Sequence, residues 1–531
     1  MPRPGFVLEV DRSTPPILFH HGEGFRLEKL PAGRTRVLYP GEPLDALEDP
    51  DASIRHALDN PLGDSPPLRA LLEPGMKLTI AFDDVSLPLP PMRRPDVRQR
   101  VIEAVLDQAA AAGVDDVHLI AALALHRRMT EAELRHAVGD RVYDAFAPHG
   151  LLYNHDAEDP DALAYLGETD KGEEVEISKR AAESDLLVYV NINLVSMDGG
   201  WKSTATGLAS YRSLRHHHNV QTMRQSRSFM DRHKSELHSS NWRMGEVLRN
   251  SGVKVFQIET TLNNDTFGTS GPMSVLQKRE WEWTARDRAT FIAMKAGVDR
   301  MPMKARRKIF NGWLAPYGVT SVQAGEVEAV HEATTERVFA QQLVPIEGQA
   351  DVLTMGLPYI CPYNVNSVMN PILVMCLGLG YFFNMYRGQP LVREGGVVIM
   401  SHPTPWEFHP VHHPSYIDFF EQVLAETTDP VEIEARFEKQ YAEDEWYRHL
   451  YRTSYAYHGV HPFYMWYWGC HGMDHVGKVI IVGGEPRSVR RLGFTPASTL
   501  QDALEMASDV VGRDPTITHL HNPPILMADV T

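Results

Sequence analysis

The chain has 531 residues, 43% of them hydrophobic and 9% aromatic, which is enough apolar material for about two to four globular domains. Its 69 acidic residues outnumber its 52 basic residues, which gives a formal net charge of −17 at pH 7. Such a charge repels polyanions and argues against nucleic acid or an anionic membrane as the principal partner. Local basic pockets for small anions are compatible with it.

The cysteines and the apolar runs indicate the compartment. Cys361, Cys376 and Cys470 have neither the number for a disulfide framework nor the spacing of a CxxC metal clip, which favours a reducing compartment. The N-terminal stretch MPRPGFVLEVDR lacks a long apolar core behind positive charge. The run PILVMCLGLGYFF (371–383) is too short to span a bilayer as a helix. We therefore expect a cytoplasmic protein.

Short apolar runs that end in polar or glycine-rich loops recur along the chain, and helical patterns follow them. The first three runs are KLTIAF (77–82), DVHLIAAL (116–123) and DLLVYVNI (185–192). Runs of this kind that alternate with helices predict a buried, mainly parallel sheet with helices on both sides. The predicted fold class is therefore α/β.

Two helices are predicted between these runs. The segment RPDVRQRVIEAVLDQAAAAG (94–113) carries its apolar residues on one face, and Gly113 ends it. After the second run, Thr130 and Glu133 have the spacing of a capping box at the start of a helix. Both segments continue the alternation of strands and helices.

The alternation resumes in the last third of the chain. The later runs are DVLTM (351–355), GGVVIM (395–400) and KVIIVGG (478–484). They predict a second α/β domain, with the junction within residues 335–350. The segment 271–318 is charged, helix-prone and without a strand candidate, which indicates a helical insertion on the first domain, with a lid or an oligomer contact as its simplest role. The predicted domains are residues 1–340 and 341–531, with the active-site cleft between them.

The loops after the first three runs are candidate site loops, because ligands in open α/β sheets bind at the carboxyl ends of the strands. The first loop presents Asp83 and Asp84, which could accept hydrogen bonds from a ribose, the second presents His126, and the third presents Lys202. Each residue also has a structural explanation. Aspartates are common in turns, and a lone histidine is more often a hydrogen-bonded structural group than a base.

Lys202 follows a pair of glycines in SMDGGWKSTATG (196–207). A phosphate-binding P-loop requires glycine directly before the lysine, whereas Trp201 stands there, so a nucleoside triphosphatase is excluded. Gly199 and Gly200 could instead form an ordinary turn with Lys202 as a solvated charge. The local pattern leaves both explanations of the lysine open.

Histidines cluster in three places. In HHHN (216–219), adjacent side chains point apart, so at most one or two of them can reach one ion. The segments SHPTPWEFHPVHHP (401–414) and GCHGMDH (469–475) have no clean metal spacing on a predicted helix. They still support a competing hypothesis, a zinc- or manganese-dependent hydrolase or lyase in which the Lys202 loop clamps an anion. Imidazole suits nickel, copper, iron and zinc alike.

Ten short motifs follow one another in the order FDDVSLP, LALHRRMTEAEL, YNHD, LGETDKG, AAESDLLVYVNI, GGWKS, HHHN, QAGEVEAVHEA, ADVLTMGLP and GFTPASTLQDALEMASDVVG. Their order resembles that of the nickel-pincer nucleotide-dependent lactate racemase superfamily, which contains 2-hydroxyacid racemases and epimerases. The resemblance covers most of the chain outside residues 1–60 and 271–318.

The resemblance implies an isomerase of a small hydroxylated substrate. Its implied cofactor is a nickel-pincer nucleotide, pyridinium-3,5-bisthiocarboxylic acid mononucleotide nickel. By position, Lys202 is implied to tether the cofactor, His218 to bind the nickel, and His126 to take the hydroxyl proton while hydride leaves the carbon. The further residues expected at the cofactor are Asp83, Asp84, Ser86, Gly199 and Gly200.

Several positions depart from the family pattern. Asn191 and Asn193 stand where a second histidine is usual, so the second acid/base is missing there. The aspartate loop ends in SLP (86–88) instead of Thr-Arg-Pro, which removes a guanidinium expected to hold an anion. Asn366 and Met369 stand where glutamine and lysine usually meet the substrate carboxylate. Asn193 and Asn366 become candidate substrate contacts, and lactate is disfavoured as the substrate.

Three hypotheses follow from these losses. The protein keeps hydride chemistry on another hydroxylated substrate, with one base serving both faces. Alternatively, it has moved to a different activity on the same fold, since fold alone does not choose a function. A third, non-enzymatic hypothesis is binding or storage of the cofactor without turnover.

Overall fold

The structure, a computed structural model, describes residues 2–87 and 89–531, so Pro88 of the SLP motif lies outside the described residues. The strands are β1 (Phe6–Glu9), β2 (Ile17–Gly22), β3 (Phe25–Glu28), β4 (Thr35–Tyr39), β5 (Lys77–Asp83), β6 (Asp116–Ala122), β7 (Leu152–Asn154), β8 (Leu163–Glu168), β9 (Glu174–Ser178), β10 (Leu186–Asn193), β11 (Val255–Leu262), β12 (Val319–Gly325), β13 (Leu343–Ile346), β14 (Ala350–Pro358), β15 (Tyr386–Gly388), β16 (Val392–Ser401), β17 (Lys478–Val482), β18 (Thr495–Ala497), β19 (Ile517–Leu520) and β20 (Met527–Val530).

Helices fill most of the intervals between the strands. The α-helices span Pro50–Asp59, Leu68–Leu71, Val97–Ala111, Glu131–Val138, Asp140–Phe146, Lys179–Ala182, Trp201–Gly207, Tyr211–Leu214, Val220–Gln225, Glu236–Asn250, Ala285–Arg300, Met303–Asn311, Val327–Gln342, Pro371–Met375, Pro414–Asp418, Leu424–Glu426, Pro430–Ile433, Lys439–Glu443, Glu445–Thr453, His461–Trp468, Cys470–His475, Pro486–Arg491 and Leu500–Val511. Short 3-10 helices span Ala147–His149, Pro272–Leu276 and Glu280–Glu282, and π-helical turns span Cys376–Phe382, Phe419–Val423 and Glu434–Glu438.

The first sheet has the order β12-β11-β10-β5-β6-β7. All neighbouring strands in it are parallel except β11 and β12, which are antiparallel. The three apolar runs of the sequence form β5, β6 and β10, and β10 is buried along its whole length. Burial on both faces explains why these strands are continuous apolar runs.

The two predicted helices next to these strands are confirmed. Asp96 caps the helix Val97–Ala111 by accepting a hydrogen bond from the backbone N–H of Arg98. Thr130 and Glu133 form the reciprocal hydrogen bonds of a capping box at the helix Glu131–Val138. Local sequence thus determines where each helix begins.

The second sheet has the order β1-β4-β19-β14-β16-β17-β18, and β2 with β3 joins it beside β14. The predicted strands at 351–355, 395–400 and 478–484 lie in β14, β16 and β17, which are parallel. The predicted α/β class with mainly parallel sheets is therefore confirmed. The N-terminal strands also belong to this sheet, since β4 pairs with β19 and β2 with β14. The division of the chain at residue 340 stays a prediction. Residues 6–39 contain β2 and β4, which pair with β14 and β19 from beyond residue 340.

The segment 271–318 contains helices and no strand, as its composition predicts. Its buried side chains Val275, Leu276, Trp283 and Phe291 pack against the hairpin of β2 and β3. The segment therefore covers the second sheet's N-terminal strands. Within the described residues, no helix is both long and apolar enough to cross a membrane.

Candidate functional site

The carboxyl ends of β5, β6 and β10 meet at one edge of the first sheet, because these strands are parallel neighbours in the order β10-β5-β6. The loops that carry Asp84, His126 and Lys202 follow these three ends. The carboxyl ends of β14 and β19 in the second sheet face the same space, since residues 358–363 and Asn522 line it. The predicted cleft between two sheets is therefore present.

We call this space the cleft cavity, and its volume is about 220 Å³. It is lined by His20, Ser86, Leu87, Leu89, Pro90, His126, Leu194, Val195, Met197, Asp198, Lys202, Thr206, His218, Met230, Thr266, Phe267, Met273, Phe310, Trp313, Pro358, Tyr359, Ile360, Cys361, Pro362, Tyr363, Leu377, Tyr381, Phe382, Met385, Trp468, Asn522, Pro523 and Ile525. Most of these side chains are apolar or aromatic. The three residues implied as base, tether and metal ligand are all among them.

His126 is paired with Asp84. Its Nδ1 lies 2.8 Å from Asp84 Oδ2, and its side chain remains 23% exposed towards the cavity. The other oxygen of Asp84 accepts hydrogen bonds from the backbone N–H of Ser86 at 2.9 Å and from its hydroxyl at 2.5 Å. With Nδ1–H donating to the carboxylate, the free ring atom of His126 is Nε2.

Asp84 is buried, yet it is held ionised. Burial alone would raise the pKa of this carboxyl, but the neighbouring His126 and the hydrogen bonds from His126 and Ser86 outweigh burial and lower the pKa. A carboxylate that stays charged stabilises the protonated imidazole next to it. The pair is therefore suited to moving a proton on and off the Nε2 of His126.

The turn before Lys202 is fixed by glycines and a buried glutamate. Gly199 and Gly200 both have positive φ, of 91° and 60°, and the backbone N–H of Gly200 donates to Glu259 Oε1 at 2.7 Å. A Cβ at Gly199 would lie 2.5 Å from Asn193 Nδ2 and 2.5 Å from Glu259 Oε1. Glycine is therefore required for the helix Trp201–Gly207 to begin here.

The amine of Lys202 lies 3.4 Å from Asp198 Oδ1, and its side chain is 25% exposed in the cavity. Burial raises the pKa of Asp198, although the charge of Lys202 acts in the opposite direction. One long contact leaves the amine free to reach a ligand. The loop therefore presents Lys202 to the cavity instead of to bulk solvent.

Of the three consecutive histidines, only His218 lines the cleft cavity. His216 Nε2 lies 3.1 Å from Glu174 Oε2, and His217 is fully buried with its Nδ1 2.8 Å from His218 Nδ1. Burial lowers the pKa of His218 well below its usual value, so its imidazole is neutral. A neutral imidazole is the form that binds a metal ion.

A second, more polar space adjoins the cleft cavity and shares Ser86, Leu87, His126, Asp198, Lys202 and Thr206 with it. We call it the inner cavity. Asp83, Asp84 and Gly199 line it as well. The carboxylate of Asp83 accepts hydrogen bonds from Asn191 Nδ2 at 2.6 Å and the backbone N–H of Ile192 at 2.7 Å, and burial raises its pKa to about 7. The Asp83 carboxylate is therefore largely occupied by hydrogen bonds from residues of the strand β10.

The two asparagines suggested as substrate contacts do not line the cleft cavity. Asn193 Nδ2 donates to the backbone oxygen of Asp198 at 2.6 Å, which ties down the loop before Lys202. Asn366 is exposed, and its Nδ2 donates to Glu133 Oε1 at 2.8 Å. Both amides are used to hold loops, so the structure does not bring them to the site.

Three of the C-terminal histidines have hydrogen-bonding partners and do not line the cleft cavity. His413 Nε2 lies 3.3 Å from the backbone oxygen of Tyr363, His471 Nε2 lies 2.8 Å from the hydroxyl of Tyr386, and His475 Nε2 lies 2.8 Å from the backbone oxygen of Val392. In residues 2–87 and 89–531, no group of three or more His, Cys, Asp or Glu side chains is arranged to hold a metal ion. The zinc or manganese hypothesis gains no support from these histidines.

Several cavity residues were absent from the sequence analysis. His20, on β2, and Asn522, after β19, line the cavity although the chain separates them by some 500 residues. His461, from the helix His461–Trp468, packs its ring 5.3 Å from that of His126. No local motif marks these residues. Met273, Phe310 and Trp313, from the segment 271–318, also line the cavity. A lid is among the roles expected for this segment, but no pattern in the sequence singles out these residues.

The chain is similar to known lactate racemases in sequence and in fold. A family model described as the lactate racemase N-terminal domain matches residues 21–231. The lactate racemase of Lactiplantibacillus plantarum is 25% identical over 170 residues, which span 31% of this chain and only 38% of that protein. The family match begins at residue 21, within the region that the motif comparison left out.

Two solved structures share the fold. The lactate racemase apoprotein from Thermoanaerobacterium thermosaccharolyticum matches with a TM-score of 0.63 and 18% identity, over 97% of this chain and 99% of that one. A Thermotoga maritima protein matches with a TM-score of 0.50 and 14% identity, over 93% of this chain and 100% of that one. This chain is therefore an α/β protein that shares its fold with the lactate racemase apoprotein. The match to the lactate racemase N-terminal domain is confined to residues 21–231, and this chain spans less than half the length of the curated lactate racemase that it matches.

Proposed function

We propose that this protein is a racemase or epimerase that inverts a hydroxyl-bearing carbon by proton-coupled hydride transfer, with a nickel-pincer nucleotide tethered at Lys202. The observation that carries the proposal is that Lys202, His126 and His218 line one cavity between the two sheets. The family match supports the reaction class, because residues 21–231 include all three of them.

The residues of the cavity fit this cofactor. The amine of Lys202 has one contact, with Asp198, and is available for the tether. His218 is a buried, neutral imidazole, which suits a nickel ligand. The inner cavity offers polar groups next to Lys202 for the nucleotide. When bound, the cofactor would supply the acceptance and return of hydride.

The protein's own contribution is proton transfer and orientation. His126 Nε2 takes the proton from the substrate hydroxyl, while its Nδ1 stays hydrogen-bonded to Asp84. The ionised Asp84 stabilises the imidazolium and fixes the ring, and the same Nε2 returns the proton to the same oxygen. With one base, the oxygen keeps its place beside His126 while the carbon turns about the C–O axis to present either face. The aromatic walls exclude water from the site.

The test is to produce the protein together with the enzymes that synthesise the cofactor. Intact mass and elemental analysis are then combined with turnover of a panel of chiral hydroxylated compounds. We expect one nickel per chain and an added mass that is lost in Lys202→Ala. The control Lys439→Ala, at a side chain that is 84% exposed, should keep both. Protein that takes up no nickel contradicts the cofactor, and a loaded protein without turnover supports the storage hypothesis.

A further inference from the structure

The cleft cavity contains little positive charge. Among the described residues that line it, Lys202 is the only lysine or arginine, and it already faces Asp198. In the proposed function the same amine is used for the cofactor tether. A substrate carboxylate would then be buried without a compensating cation, which strongly disfavours its binding.

The buried guanidinium of Arg127, next to His126 in the sequence, is occupied by other partners. Arg127 is 1% exposed and donates to both carboxylate oxygens of Glu133, at 2.9 and 2.6 Å, and to the backbone oxygen of Val365 at 3.0 Å. Leu87 lines both cavities in the motif where the family pattern has arginine. The cavity therefore lacks the bidentate guanidinium that usually holds a carboxylate.

The walls favour an apolar body instead. Phe267, Phe310 and Trp313 line the cavity from the side of the 271–318 segment, and Tyr381 and Trp468 line it from the second half of the chain. Tyr381 and Trp468 are stacked, with ring centroids 5.7 Å apart and an interplanar angle of 17°. Such surfaces bind aromatic or aliphatic groups by burying apolar area.

Two polar side chains in this apolar lining lack partners. His20 Nε2 and both polar atoms of the Asn522 amide are buried without a hydrogen bond, although the residues are 4% and 3% exposed. Burial lowers the pKa of His20 to about 3, so its ring is neutral. An unsatisfied buried polar atom is destabilising, and a ligand that supplies the missing partner removes that cost. Both groups are neutral, so they suit a neutral amide, carbonyl or hydroxyl.

We infer that the substrate is an uncharged secondary alcohol with an apolar or aromatic body and a second, neutral polar group that His20 and Asn522 bind. The inference rests on the proposed function for the reaction itself. The inferred substrate class differs from small 2-hydroxy carboxylates. The two residues that would bind the neutral polar group, His20 and Asn522, both lie outside residues 21–231, the range that the family model matches.

The decisive experiment compares two probes with the same body, 3-phenyllactamide and 3-phenyllactate. Their binding to the cofactor-loaded protein is measured by titration calorimetry. We expect the amide to bind at least about tenfold more tightly, because burying the unpaired charge of the carboxylate raises its Kd by more than a factor of ten. Tighter binding of the carboxylate, equal binding of the two, or no binding of either overturns the inference.

Two variants localise the effect. Asn522→Leu should weaken binding of the amide by about tenfold, whereas the exposed Asn250→Leu should leave it unchanged. Leu87→Arg should shift the preference towards the carboxylate by about tenfold or more. Because Leu87 is only partly buried, this variant tests the inference even where Asn522→Leu fails to fold. An unchanged preference in a folded Leu87→Arg protein contradicts the missing cation as the cause.

Turnover separates this inference from the proposed function. Loss of optical activity is followed for both probes with the same loaded protein. If the amide binds more tightly but is not inverted, the proposed reaction fails and the substrate class stands. If the carboxylate binds more tightly and is inverted, the reaction stands and the substrate class is wrong.

Discussion

The cleft cavity has two walls of different chemistry. The wall that follows the first sheet carries the titratable groups His126, Lys202 and His218, with Asp198 beside the lysine. The wall from the second half of the chain consists mainly of aromatic and apolar side chains from residues 358–385 and of Trp468. Reacting groups and substrate shape are therefore specified by separate parts of the sequence.

The same difference appears in the comparison with relatives. The family match covers residues 21–231 and therefore includes the polar wall, whereas most of the aromatic wall lies beyond it. The groups that move protons and hold a cofactor tolerate little change in position. The residues of an apolar wall can be exchanged for other apolar residues, so the shape of the cavity can adapt to a different substrate. The following predictions test this separation, from the largest effect to the smallest.

Removing the base should affect the reaction and not the cofactor. For His126→Ala we expect kcat to fall by roughly 10²- to 10⁴-fold, which is the usual contribution of a positioned general base. The added mass at Lys202 should be unchanged. The exposed His149→Ala serves as the control and should keep full activity. Retained turnover in His126→Ala would remove His126 as the base.

Asp84 should act through His126. For Asp84→Asn we expect kcat to fall by roughly 10- to 10³-fold with little change in KM, because the imidazolium loses a neighbouring charge and, with Ser86 holding the amide oxygen, the amide NH2 faces Nδ1 in place of an acceptor. The matched control is Asp115→Asn, at an exposed position. A merely structural role predicts instead that loss of activity follows loss of folded protein, and the KM and kcat values distinguish the two.

The turn that presents Lys202 should be intolerant of a side chain. Gly199→Ala adds a Cβ 2.5 Å from Asn193 Nδ2 and Glu259 Oε1 at a φ of 91°, so we expect the free energy of unfolding to fall by about 2–4 kcal/mol. Gly150→Ala is the matched control. Its φ is 70° but nothing lies within 4 Å, so it should lose only about 1 kcal/mol. Equal losses in denaturant titrations would show that space at Gly199 is not limiting.

Glu438 connects the two halves of the chain, because Tyr211 donates to its Oε1 at 3.3 Å and Tyr467 to its Oε2 at 3.0 Å. Burial raises its pKa from 4.5 to about 7, so the folded state keeps a proton that the unfolded chain releases. The free energy of unfolding should therefore fall by up to roughly 3 kcal/mol as the pH rises from about 4.5 to about 7.

Glu438→Gln should flatten this part of the pH profile of stability, because glutamine does not titrate. The exposed Glu336→Gln should leave the profile as it is. The measurement is denaturant unfolding at several pH values. An identical slope in wild type and Glu438→Gln would show that the carboxyl is already ionised in the folded protein.

The strands of the first sheet and the helices next to them could be predicted from the sequence, because the patterns that mark them are local. A strand buried on both faces is a continuous apolar run, and a capping box needs only Thr130 and Glu133 three positions apart. The site loops could also be predicted, since parallel strands bring their carboxyl ends to one edge. The pairing of His126 with Asp84 could not, because the orientation of two side chains depends on packing around both.

The α/β class, the helix starts and the loops that carry His126, Lys202 and His218 could be predicted from local sequence, because each depends on residues close together in the chain. The pairing of β4 with β19, the absence of Asn193 and Asn366 from the cavity lining, and the presence of His20 and Asn522 in it emerge only from the three-dimensional packing. The physical reason is that contacts between distant residues arise from the packing of whole sheets, and no local pattern encodes them.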